Sequence, residues 1–139
     1  MSKQKLLDHL KSDVYCRIGR SDVHGIGIIA IRDIPKGINP FKSFYEESYE
    51  EFTDDELVGL PPEVRKLIHD YCAEENDSVW IPKFGFNQVH ILHYINHSTN
   101  PNVIPVDDSD IFITTKDIAK GEELFSNYAT YDEDYEKKM

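Results

Sequence analysis

The chain has 139 residues, 40% of them apolar, which fits one domain with its own core and hardly two. No apolar run approaches the ~20 residues of a membrane span, and the opening Met1-Ser2-Lys3-Gln4-Lys5-Leu6 lacks the apolar stretch of a secretory signal; the expectation is an intracellular chain, cytoplasmic or nuclear and not secreted. A formal net charge of -11 disfavours nucleic acid, whose phosphates attract Lys and Arg, and suits a Lys-rich basic protein or peptide as partner, although acidic surfaces also serve solubility alone.

In chain order, Leu6, Leu7 and Leu10 fall on one face of a short N-terminal helix, within an extension covering residues 1–13. Val14, Cys16 and Ile18 alternate with Tyr15 and Arg17 as in a strand. Ser21 to Gly27 reads as a turn into a second strand, Ile26 to Ile31, and Asp33-Ile34-Pro35-Lys36-Gly37 as another turn. The acid-rich stretch Glu46 to Glu56, with Tyr45, Tyr49 and Phe52 interleaved, reads as an exposed loop or short helix. Pro61-Pro62 opens the clearest helix, with Val64, Leu67, Ile68, Tyr71 and Cys72 at helical spacing and Glu63 at its positive end.

Glu74 to Ser78 is a polar break, and Val79 to Phe86 a strand that Pro82 interrupts or places at an edge. Gln88 to Asn96 is ambiguous between short helix and strand. Ser98 to Pro105 reads as loop, Ile111 and Ile113 as strand, and Asp117 to Gly121 repeats the earlier turn chemistry. No repeat is evident, and no low-complexity tract beyond the acidic stretch. Residues 132–139 form a short charged tail. Cys16 and Cys72 are too few for a tetrahedral metal site and read as buried thiols of a reducing compartment. Short strands punctuated by turns, with one or two helices, make a mostly-β domain.

Four segments carry candidate chemistry. His24-Gly25-Ile26-Gly27 lets a ligand approach the backbone, or makes a tight hairpin turn. Tyr94-Ile95-Asn96-His97-Ser98-Thr99-Asn100-Pro101-Asn102 packs donors and acceptors that recognise a polar ligand or tie the loop to itself. Gly121-Glu122-Glu123-Leu124-Phe125-Ser126-Asn127-Tyr128 ends on a tyrosine that serves either chemistry or the core. His90, His93 and His97 would share one helix face at i, i+3 and i+7 and could hold a metal, although no fourth ligand is obvious.

Taken together and in order, three of these segments resemble the SET domain family of protein-lysine methyltransferases. The family's G-x-G, apolar strand and D-I-x-x-G turn match Gly25-Ile26-Gly27 and Asp33-Ile34-Pro35-Lys36-Gly37. Its N-H-S-x-x-P-N motif matches Asn96 to Asn102. Its D-I-x-x-G-E-E-L motif, running to a tyrosine, matches Asp117 to Leu124 and Tyr128. The resemblance covers roughly Val14 to Tyr131. It implies a SET-type β-clip fold with a C-terminal pseudoknot, spanning 14–131 with a variable insert at about 46–78.

The resemblance also implies S-adenosyl-L-methionine as cofactor. His24, Gly25, Ile26, Gly27, Asn96, His97 and Tyr128 would meet it, Tyr128 would be the catalytic residue, and Tyr94, Ser126 and Tyr131 would line the substrate channel. Three departures stand out. Thr99 replaces a cysteine that many members use for zinc, and no cysteine follows Cys72, so no metal is expected. His93-Tyr94 replaces an Arg-Phe pair. Ser126 replaces an aromatic residue that influences how many methyls are added. Either Tyr131, Tyr135 and the tail or a second subunit would cover the lysine channel, which leaves a homodimer open. A SET-like module that binds peptide without transferring methyl, and the His90/His93/His97 metal protein, are the alternative readings.

Overall fold

A computed structural model describes residues 3–42, 49–88, 90–107 and 111–132. The elements run α1 (Lys3–Ser12), β1 (Cys16–Arg20), β2 (Ile26–Ala30), β3 (Tyr49–Thr53), α2 (Asp54–Leu57), α3 (Pro62–Tyr71), β4 (Glu74–Glu75), β5 (Ser78–Pro82), β6 (Asn96–His97), β7 (Val103–Pro105), β8 (Phe112–Thr114) and β9 (Glu123–Ser126). Single 3₁₀ turns cover Ile91–Tyr94 and Tyr128–Thr130. The fold is mostly β with few helices, as expected. The chain divides into two units, Met1–Glu46 with Tyr94–Asn127, and Glu47–His93 with Tyr128–Met139.

In the first unit, β1 and β2 form an antiparallel hairpin, and the sheet continues in the order β1-β2-β9-β6. The late strand β9 lies between β2, antiparallel to it, and β6, parallel to it. Paired residues Ile28 and Leu124 are fully buried at this junction. A second antiparallel pair joins β7 to β8.

The two D-I-x-K-G turns lock onto one another. Ile34 N donates to Ile118 O at 2.8 Å and Ile118 N to Ile34 O at 2.9 Å. Asp33 Oδ1 accepts from Lys120 N, and Asp117 Oδ1 from Lys36 N, each at 2.9 Å. Gly37 N donates to Thr114 O while Gly121 N donates to Ala30 O. Thr114 N and Ala30 N return bonds to Ile38 O and Glu122 O. Every contact has a mate at the equivalent position of the other turn. Gly37 and Gly121 hold φ of +87° and +93°, a region that side chains disfavour. The sequence does contain a repeat, only five residues long, and the fold uses it as a local two-fold.

In the second unit β3 and β4 flank β5. Ile68 of α3, Cys72 and Val79 form its buried cluster, with Phe52, Leu57, Leu60, Ile81 and Phe86 packed around them. The acid-rich stretch is not loop over its described part: Tyr49–Thr53 is a strand and only Asp54–Leu57 is helical. Pairing with β5 and burial beside Phe52 outweigh the poor strand propensity of Glu50 and Glu51, which remain exposed. Tyr45 and Glu46 lie outside the described residues.

The polar break is a hairpin turn, with Asn76 and Asp77 at φ +54° and +63° as a type I′ turn requires. Strand β5 ends at Pro82, as its missing N–H dictates. Within the ambiguous stretch from Gln88 to Asn96, Ile91–Tyr94 form the 3₁₀ turn and Asn96 starts β6. The segment expected to be loop as far as Pro105 instead turns into strand at Val103, because β8 is available to pair with it. Helix α1 forms as expected, but Leu6, Leu7 and Leu10 stay exposed.

Ile34 and Ile118 are each 1% exposed, so Ile118→Ala should cost about 2–5 kcal/mol in denaturant unfolding. Neither cysteine is in a disulfide; Cys72 is buried and Cys16 half-buried. Burial pushes the Cys16 thiol up from 9.0 to about 12. The folded chain therefore holds that proton where the unfolded chain has released it. This contribution to stability is present below about pH 9 and should decline as pH rises from 9 towards 12. Melting curves across that window should show a fall that Cys16→Ala reduces.

Candidate functional site

The loop between β1 and β2 is tied by a backbone bond from Ser21 N to Gly25 O at 2.9 Å. Ser21 Oγ accepts from Val23 N at 3.0 Å and from His24 N at 3.1 Å. Gly25 has φ +54° and open space where a side chain would stand, so glycine there serves the backbone conformation. Gly27 serves close approach instead. A Cβ at that position would overlap the Glu123 carboxylate and lie 2.9 Å from Asn96 Nδ2.

Asn96 begins β6 and is 8% exposed. Its Nδ2 donates to His24 O and Ile26 O, both at 3.1 Å, and to Glu123 Oε2 at 2.8 Å. Three oxygens around one nitrogen fix which way the amide points. The other oxygen of Glu123, Oε1, accepts from Ser21 Oγ at 2.7 Å. One carboxylate on β9 thus braces both the turn and the asparagine that holds the turn.

What Asn96 has left for a ligand is its acceptor, Oδ1. No described residue donates to that oxygen. Among the described residues no side-chain polar atom is buried without a partner, so Oδ1 reaches solvent. An open acceptor beside a carboxylate and two carbonyls suits a cationic donor such as an ammonium group and repels phosphate.

The rest of the central motif clamps the closing strand. Asn102 Oδ1 accepts from Phe125 N at 2.7 Å, and its Nδ2 donates to Glu123 O at 2.9 Å. Ser98 N donates to Ser126 O at 2.9 Å. His97 is half-buried beside Asn96 and pairs in register with Ser126, which is fully buried. Tyr94 is half-buried at the end of its 3₁₀ turn. Tyr128 and Tyr131 belong to the second unit, where their ring centroids lie 6.0 Å apart at 59°. Tyr135 lies outside the described residues.

The histidine reading loses the helix it needs. His90 precedes the 3₁₀ turn, His93 lies within it and His97 is on a strand. His93 Nδ1 stands 3.0 Å from Tyr71 O and Nε2 stands 3.3 Å from the Tyr49 hydroxyl, so both ring nitrogens are engaged. Among the described residues no three His, Cys, Asp or Glu side chains are grouped to hold a metal.

Sequence reasoning brought His24 to Gly27 and Asn96 to one place and missed Ser21, Glu123 and the clamping role of Asn102. The pairing of β2 with β9 is the missing information. Gly27→Ala should destabilise the chain by about 1–3 kcal/mol in denaturant unfolding, because the carboxylate it displaces is held from two sides. Gly25→Asn should cost less, since asparagine tolerates positive φ.

Comparisons with known proteins identify the family. The SET domain family profile matches residues 25–129. Histone-lysine N-methyltransferase 2D of Homo sapiens and of Mus musculus are each 28% identical over 153 aligned positions. Those alignments take in 98% of this chain, which spans about 2% of the length of these relatives. Among solved structures, a humanized Chaetomium thermophilum Polycomb Repressive Complex 2 bound to an inhibitor matches with a TM-score of 0.58 and 25% identity, covering 88% of this chain and 16% of that one. A candidate histone methyltransferase of Plasmodium falciparum shares the fold with a TM-score of 0.50 and 20% identity, over 83% of this chain and 93% of that one. With most of its length matched and its three motifs in order, the chain belongs to the SET domain family.

Proposed function

We propose that the chain transfers methyl groups from S-adenosyl-L-methionine to the side-chain amine of lysine in a protein substrate, a histone or another basic protein. The observation that carries this is Asn96: the asparagine of the family's central motif is pinned by three oxygens, and its one open atom is an acceptor. Such an acceptor fits the ammonium of the cofactor's methionine part. The backbone of His24 to Gly27 would lie along that part, and His97 would stand near the adenine. When bound, the cofactor supplies a methyl group on a positively charged sulfur.

The protein's task is then alignment. A lysine with an ordinary pKa of ~10.4 needs about 4–5 kcal/mol to lose its proton at pH 7. A narrow apolar channel lowers that cost by penalising the charged amine. Tyr94, Ser126 and Tyr131 would line the channel, and the Tyr128 hydroxyl would orient the neutral amine at its inner end. Backbone carbonyls would hold the methyl by weak C–H···O contacts. The net charge of -11 draws a basic substrate towards the chain. A histone or other basic protein as substrate would place the chain in the nucleus or cytoplasm.

Labelled methyl transfer to histones and to total cell protein, followed by mass spectrometry, tests the proposal. Cofactor and peptide binding without transfer would instead indicate an inactive peptide-binding module. Tyr128→Phe removes one oxygen and keeps the ring. If the hydroxyl orients the amine, turnover should fall ~100-fold or more, while cofactor affinity changes much less. Turnover within about threefold of wild type would take Tyr128 out of the catalytic role.

A further inference from the structure

Ser21 and Glu123 belong to none of the sites assigned above, yet between them they fix the geometry of the cofactor loop. Glu123 Oε2 takes one Asn96 hydrogen, and Oε1 takes the Ser21 hydroxyl hydrogen. With its hydrogen committed to the carboxylate, Ser21 Oγ can turn its lone pairs to Val23 N and His24 N. The turn is therefore held from its first residue by Ser21 and from its carbonyls by Asn96, and one carboxylate orients both holders.

A carboxylate is the group this position needs. It offers two acceptor oxygens and no hydrogen to two donors at once. An amide there would present a hydrogen to one side. Facing Asn96, that hydrogen would oppose the orientation in which Nδ2 meets the carbonyls of His24 and Ile26, and would loosen the hold on the open acceptor. Facing Ser21, it would compete with the two backbone donors for the same lone pairs. Gly27 completes the arrangement by leaving room for the carboxylate.

We infer that Ser21 and Glu123 form a positioning pair that keeps Asn96 Oδ1 presented as an acceptor to the ammonium of the bound cofactor, making the pair a determinant of specificity for the amino-acid end of that ligand. The inference rests on the methyltransferase reading. It concerns selectivity, so it separates from a general loosening of the fold.

The test compares two ligands on wild-type, Glu123→Gln and Ser21→Ala chains by calorimetry. S-adenosylhomocysteine carries the amino-acid end, and 5′-methylthioadenosine keeps the nucleoside and lacks it. Wild type should bind the first more tightly. Glu123→Gln should weaken S-adenosylhomocysteine by about tenfold, the scale of one charge-assisted bond, and leave 5′-methylthioadenosine within about twofold. Ser21→Ala should follow the same pattern more weakly, and in the unliganded chain should speed hydrogen exchange at Val23 and His24. Equal losses for both ligands would make the pair a structural brace and overturn the proposal, as would unchanged affinity for both. Failure of wild type to bind S-adenosylhomocysteine would instead sink the cofactor reading, and this proposal with it. Glu123→Asp, which keeps the charge and shortens the reach, should recover part of the lost selectivity.

Discussion

Ile34 and Ile118 exchange two backbone hydrogen bonds inside the core, and much of the first unit follows from that exchange. Each isoleucine is the second residue of a D-I-x-K-G turn, and each turn's aspartate caps the other's lysine N–H. The contact joins residues far apart in sequence, so its closure entropy must be met by burial and by several bonds formed together. Eight reciprocal bonds, counting four per turn, share that cost. Once the turns are locked, the strand leaving the second turn has to run alongside the strand entering the first. That is the pairing of β9 with β2, and it carries Glu123 to the loop at Gly27.

Two asparagines then do work that longer strands do elsewhere. β6 is two residues long and β9 four. Strands so short expose backbone groups that a ladder would otherwise satisfy. Asn102 supplies a side-chain acceptor and donor to Phe125 and Glu123, in the manner of an extra strand residue. Asn96 does the same for the carbonyls of His24 and Ile26. The loop-tying reading and the ligand-binding reading of the central motif are therefore compatible: the nitrogen of Asn96 ties the loop, and its oxygen stays open.

The turns, the first hairpin, the clearest helix and the loop at Gly25 were legible because each is written in local residue chemistry. Glu123 was not. Glu122 and Glu123 are adjacent and alike in sequence, and alternation along a strand sends them to opposite duties. Glu122 Oε1 accepts from Ala119 N at 2.8 Å within its own turn, while Glu123 reaches Ser21 and Asn96. Only the register with β2 separates them. Strand β3 was illegible for a related reason, since its strand character comes from β5, almost thirty residues on. Asn76-Asp77 lacks the glycine that usually marks a type I′ turn, and its positive φ values are visible only in the fold.

The acidic side chains of the second unit bear on how a partner is met. Among the described residues strand β3 is an edge of its sheet, and Glu50 and Glu51 stand exposed on it, followed by Asp54, Asp55 and Glu56. Charged residues on an edge discourage pairing with the edge of another molecule. The same charges attract a basic chain at longer range. The two effects act at different distances: edge protection works at contact, through desolvation of carboxylates, and steering reaches about a Debye length, ~8 Å at physiological salt. An extended basic peptide experiences both, because lysine or arginine opposite these carboxylates removes the penalty that an apolar edge would meet.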